Sequence, residues 1–142
     1  MKYTTCGRRA RSGRERSRCF LPSVPKLAVP TLTQWFDCSY VGALESPLYD
    51  FGLCMDNLFD SMVSGKPILC AITTPDDIVT RYQCGLMLPS GHPERIVQAI
   101  EKLKATPPEQ RDAMGNRGKQ AAKDHYTYHH IAEQFAELFT EG

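Results

Sequence analysis

Apolar residues along this chain fall into short unbroken runs that alternate with stretches of helical spacing. Ile68 to Ile72 is an uninterrupted run of the kind buried on both faces of a parallel sheet. Ahead of it, Leu58, Phe59 and Met62 recur at helical spacing from Asp56, Gly65 ends that helix, and Lys66-Pro67 turns the chain. Further strand candidates are Cys19 to Val24, Cys38 to Val41 ending at Gly42, and Gly85 to Leu88. Pro25, Lys26 and Pro30 lead into a short helix carrying Leu32, Trp35 and Phe36. Thr73 to Asp77 supplies two capping candidates for a short helix through Tyr82. From Pro93 the pattern is wholly helical: Ile96, Val97, Ile100 and Leu103 form one stripe. A second helix runs from Pro107-Pro108 through Met114 to Lys123, weakened but not ended by Gly115 and Gly118. A last helix spans Thr127 to Phe139, with Ile131, Phe135, Leu138 and Phe139 on one face. Strands alternating with helices predict a parallel, layered α/β domain with a helical C-terminal end.

With 142 residues and 42% hydrophobic content the chain is sized for one domain. The net charge of +1 hides an asymmetry. Residues 1–18 carry seven basic side chains against Glu15 alone, a net of +6, which leaves −5 for the remainder. The acidic body argues against a nucleic-acid-binding domain. The basic segment 1–18 has no periodicity and is expected to be a disordered tail, with 19–142 as the folded unit; its charge suits an RNA, a phosphate or an anionic membrane surface, although such runs are more often solvated. The six cysteines are scattered without a Cys-x-x-Cys pair and read as buried hydrophobes in a reducing compartment. No run approaches transmembrane length and no signal-peptide core is present, so a cytoplasmic location is expected.

The candidate chemistry lies ahead of the 56–64 helix. Phe51-Gly52-Leu53-Cys54 carries a glycine where backbone can approach a ligand, and a helix then starts at Asp56. In open α/β sheets this is where phosphorylated ligands bind, because unpaired N–H groups and the helix dipole both favour an anion. A branched residue at Gly52 is expected to block that approach while touching little of the core. The alternative readings are structural: Gly52 permits a tight loop and Asp56 caps a helix. His125, His129 and His130 lack a completing Cys or acid, so no metal site is expected. No Ser-His-Asp or Cys-His arrangement, Walker loop or Gly-x-Gly-x-x-Gly is present, which removes support for hydrolase and nucleotide-hydrolysing functions.

Four pieces in order carry a family resemblance: LPSVPKLAVP, PLYDFGLCMDNLFDSMVSGKPIL, CGLMLPSGHPERIVQAIEKL and DHYTYHHIAEQFAEL. Together they resemble the C-terminal portion of family 4 retaining glycosyltransferases of the GT-B fold, and one subgroup's Y-R-F-G-I-S-P-N-K-L-F-D-Y-M-x-x-G-K-P aligns without gaps from Tyr49 to Pro67. The resemblance implies a three-layer Rossmann-like parallel sheet, an incomplete GT-B C-terminal domain. It implies a nucleotide-diphosphate-sugar donor as substrate, no cofactor and no metal, and an acceptor glycan or lipid-linked sugar in cell-surface polysaccharide synthesis, with peripheral association at the inner face of the membrane. Phe51, Gly52, Leu53, Cys54, Met55 and Asp56 would surround the donor sugar and phosphates, and Asp60 would accept the ribose hydroxyls. The chain departs from the subgroup where Asp50, Met55, Asp56 and Asn57 replace Arg, Pro, Asn and Lys. The acceptor domain and the family's basic pair fall upstream of the matched region. The expectation is therefore a fragment inactive alone, whose closing helix exposes its apolar stripe and favours self-association. The rival expectation is a non-catalytic Rossmann-like module that keeps a degenerate ligand or protein surface.

Overall fold

The computed structural model describes residues 23–140 with the exception of 54. The basic segment lies outside these residues, as does all of the Cys19 to Val24 strand candidate except Ser23 and Val24, which are not in a strand. Three four-residue strands, β1 (Ser39–Gly42), β2 (Ile68–Ala71) and β3 (Gly85–Leu88), form a parallel sheet in the order β1-β2-β3. Ser39 pairs with Ile68 and Ile68 with Gly85, so the strands run in step. α2 (Asp56–Ser64) connects β1 to β2 and α3 (Ile78–Arg81) connects β2 to β3. The chain closes with α4 (Pro93–Ala105), α5 (Pro108–His125) and α6 (Tyr128–Thr140). This is a Rossmann-like α/β arrangement, and no helix among the described residues is long and apolar enough to cross a membrane.

Alternation of side chains along β2 explains why its run is apolar throughout. Ile68 and Cys70 join Val41, Leu58, Met62 and Val79 in one core, whereas Leu69 faces the other way onto Ala99 and Leu103 of α4. α2 ends as its sequence dictates, because Gly65 takes the left-handed conformation at φ 72° that closes a helix. After the strands, Thr73 and Ser90 exchange hydrogen bonds: Thr73 N donates to Ser90 Oγ at 3.0 Å and Ser90 N to Thr73 Oγ1 at 3.1 Å. That clasp joins the loops at the carboxyl ends of β2 and β3.

Three elements differ from their sequence expectations. α1 covers only Val29–Thr33, and Trp35 and Phe36 fall in the turn beyond it, where they are 84% and 41% exposed. α4 buries Ala99 and Leu103 rather than its whole stripe; Val97 and Ile100 stay exposed, since the three described strands do not extend beneath them. In α5, Gly115 and Gly118 are buried contact points rather than weak spots. A Cβ at Gly115 would lie 1.9 Å from the Gly65 carbonyl oxygen.

Cys70 and Cys84 are fully buried, and burial pushes their thiols up to about 12 and about 11 from an ordinary 9.0. Below pH 9 these groups are neutral in both folded and unfolded chains. Above it the unfolded thiolates form first, so the stability that comes from burying the neutral thiols is lost as pH rises from 9 toward about 11 for Cys84 and about 12 for Cys70. We expect iodoacetamide at pH 8 to label half-buried Cys38 ahead of Cys70 and Cys84 in the native chain. Equal rates at the three, read by peptide mass spectrometry, would contradict this packing.

Candidate functional site

Beyond β1 the chain enters a 3₁₀ turn, Pro47–Phe51, whose start is capped by Ser46 Oγ accepting from Leu48 N at 3.3 Å. The turn ends at Gly52 with φ 114° and ψ 172°. This is backbone that only glycine adopts readily. A Cβ at Gly52 would meet only Asp76 Oδ2, at 4.0 Å, so space is open but conformation is not. The expectation that a branched residue here would spare folding is therefore corrected, since the backbone strain itself costs stability. From Gly52 the loop divides. Phe51 is 92% exposed, Leu53 turns into the core against Leu58 and Met62, Met55 packs partly on the same cluster, and Cys54 lies outside the described residues.

The N-cap position of α2 is held by Met55, in extended conformation and without a side-chain cap hydrogen bond, and Asp56 is the first helical residue, so Asp56 is not the cap. Its exposed carboxylate accepts from Lys26 Nζ at 3.0 Å. This hydrogen bond, followed by the charge of Asp56, raises the Lys26 ammonium above its ordinary value, and Asp60 adds to the effect. Lys26 thus stands within the field of both acids at the entrance to α2. The Asp56 and Asn57 N–H groups make no hydrogen bond among the described residues, while Leu58 N already donates to Met55 O at 2.9 Å.

Asp60, one turn further, is half-buried and borders a hollow of about 250 Å³ with Val29, Thr33, Ser39, Asn57 and Ser61. Ser39 Oγ is buried there with no partner among the described residues, and an orphan hydroxyl of this kind is uncommon in a settled core. A second hollow, about 360 Å³, lies at the carboxyl end of β1 near α4, bordered by Tyr40, Gly42, Leu44, Gly91, His92 and Ile96. Its His92 Nδ1 sits 2.9 Å from Glu94 Oε1. The Glu94 carboxyl is held below its usual range by its own backbone N–H first and by His92 next. On the α3 side, Asp76 pairs with Arg81, which places another compensated acid beside Gly52.

The loop, the open N–H groups and Asp60 therefore lie along α2, but the Asp60 hollow is bordered by α1 and β1 rather than by the Gly52 turn. Lys26, Ser39 and Tyr40 went unmarked in the sequence. Lys26 reads in the sequence only as part of the lead into a short helix and of the LPSVPKLAVP segment, and nothing local indicates the orphan at Ser39. The histidines form no ligand set: His125 ends α5, Thr127 Oγ1 accepts from His130 N at 3.2 Å, and His129 pairs with Glu133. Among the described residues no group of three metal-ligating side chains occurs. No family model matches the chain, and no curated protein or solved structure matches it.

Proposed function

We propose that the chain is the donor-binding portion of a retaining glycosyltransferase, holding a nucleotide-diphosphate sugar for transfer to an acceptor glycan or lipid-linked sugar at the inner face of a membrane. The observation that carries the reading is the glycine-only turn at Gly52 ahead of α2, whose first two N–H groups make no hydrogen bond among the described residues, at the carboxyl end of a parallel sheet. This is the arrangement that favours an anionic phosphate. Lys26 adds a cation at the same entrance, and Asp60 offers a carboxylate for two ribose hydroxyls. Donor binding is the role this reading assigns to these residues, and none of them is assigned to catalysis. A second reading, a non-catalytic module descended from such an enzyme, is favoured by the Lys26–Asp56 pair, which occupies the lysine that a phosphate would need.

Calorimetry with a panel of uridine and guanosine diphosphate sugars separates the two. Saturable heat with at least one donor, weakened tenfold or more by Asp60→Ala, is the expected result. No heat with any member of the panel would leave only the non-catalytic module.

A further inference from the structure

We propose that the outer edge of β1 is the contact surface of a symmetric dimer in which a second copy's β1 pairs with it antiparallel. Ser39 N and Ala43 N donate to Pro67 O and Ala71 O of the β2 side, so in a parallel ladder the intervening Tyr40 and Gly42 direct their N–H and C=O groups outward. Neither outward N–H has a partner among the described residues. Edges are ordinarily guarded by lysine, proline or a bulge, yet Cys38 to Leu44 contains no charge and no proline. The edge is also flanked by hollows on both sides of the sheet, one toward Asp60 and one toward Ile96.

A second copy is the occupant that the surface fits, for two reasons. The first is area. Phe36, Tyr40, Leu44 and Ile100 are 41, 56, 85 and 47% exposed around this strand. At roughly 150–250 Å² per large side chain they offer about 450 Å² of apolar surface. A standard interface buries about 800 Å² per partner, somewhat over half of it apolar, so the match in kind and amount is close. The second is self-complementarity. An antiparallel pairing centred on Tyr40 sets tyrosine against tyrosine and Gly42 against Cys38, with no like charges opposed along the uncharged run.

The test is sedimentation of the full chain over a concentration series, paired with hydrogen exchange at the Tyr40 and Gly42 amides. We expect a dimer, protection of both amides that rises with concentration, and a dissociation constant at least tenfold weaker in Tyr40→Lys. That variant should keep its fold, as the side chain is exposed on an edge strand; circular dichroism checks this. Phe135→Glu, an exposed position on α6 that borders neither hollow, should leave the dimer intact. Four results would overturn the proposal: a monomer at every concentration, a dimer insensitive to Tyr40→Lys, a dimer lost with Phe135→Glu alone, or amides already protected in the dilute monomer, which would mean that another part of this chain covers the edge.

Discussion

Gly115→Ala is expected to destabilise the chain by about 3 kcal/mol, although the same change in an ordinary helix interior gains up to about 1 kcal/mol. The new Cβ would lie 1.9 Å from the Gly65 carbonyl oxygen and 2.9 Å from Lys66 N, both backbone atoms at the C-cap of α2 that no rotamer change can clear. α5 would have to move away from α2, opening the packing of Ala121 and Ala122 on Leu58 and Met62. Gly118→Ala is the internal comparison. Its Cβ meets the Cys84 side chain at 3.0 Å, a contact that yields with a few tenths of an ångström, so the loss should stay near or under 1 kcal/mol. Urea midpoints of the two variants and the parent measure the difference. A Gly115→Ala protein as stable as Gly118→Ala would mean that the two helices are further apart than described.

Asp56→Asn combined with Asn57→Lys is expected to tighten binding of a nucleotide-diphosphate sugar tenfold or more. The double change removes the carboxylate that holds Lys26 Nζ and adds a second cation on the first turn of α2. Asp56 is exposed, so the effect is solvent-screened, and the gain should shrink as salt is added. Calorimetry on both proteins at two salt concentrations decides it. An unchanged or weaker affinity would show that the entrance of α2 is not where the phosphates lie.

The parts of this fold legible in the sequence were those set by local chemistry. The apolar run of β2, the glycine closing α2, the Asp77 cap that accepts from Thr80 N at 2.7 Å, and Thr127 ahead of α6 each depend on residues within a few positions. What stayed hidden depends on partners distant in the chain. The Lys26–Asp56 pair spans thirty positions, and the exposure of Val97 and Ile100 among the described residues depends on how far the described sheet extends, which α4 cannot indicate by itself. Gly115 and Gly118 are an intermediate case. Their spacing of three, continued by Ala121 and Ala122, puts small residues on one helical face, a sign of close approach that reads as helix weakness if propensity alone is weighed. At the candidate site the Gly52 turn and the start of α2 could be anticipated, whereas the placing of Met55 at the N-cap position and the hollow beside Asp60 could not.

The exposure of α6 bears on how much of it is helical at any moment. Every side chain from Ile131 to Phe139 is exposed, and Phe135, Leu138 and Phe139 are 61, 72 and 80% so. A 13-residue helix is marginal in water when its apolar face is largely uncovered among the described residues, so α6 belongs at the low end of local opening free energies while the β2 core sits at the high end. Any contact that buries this stripe is thermodynamically linked to its helix–coil equilibrium. The helical content of the C-terminus therefore rises with whatever binds there, and the affinity of that contact is reduced by the energy needed to order the segment.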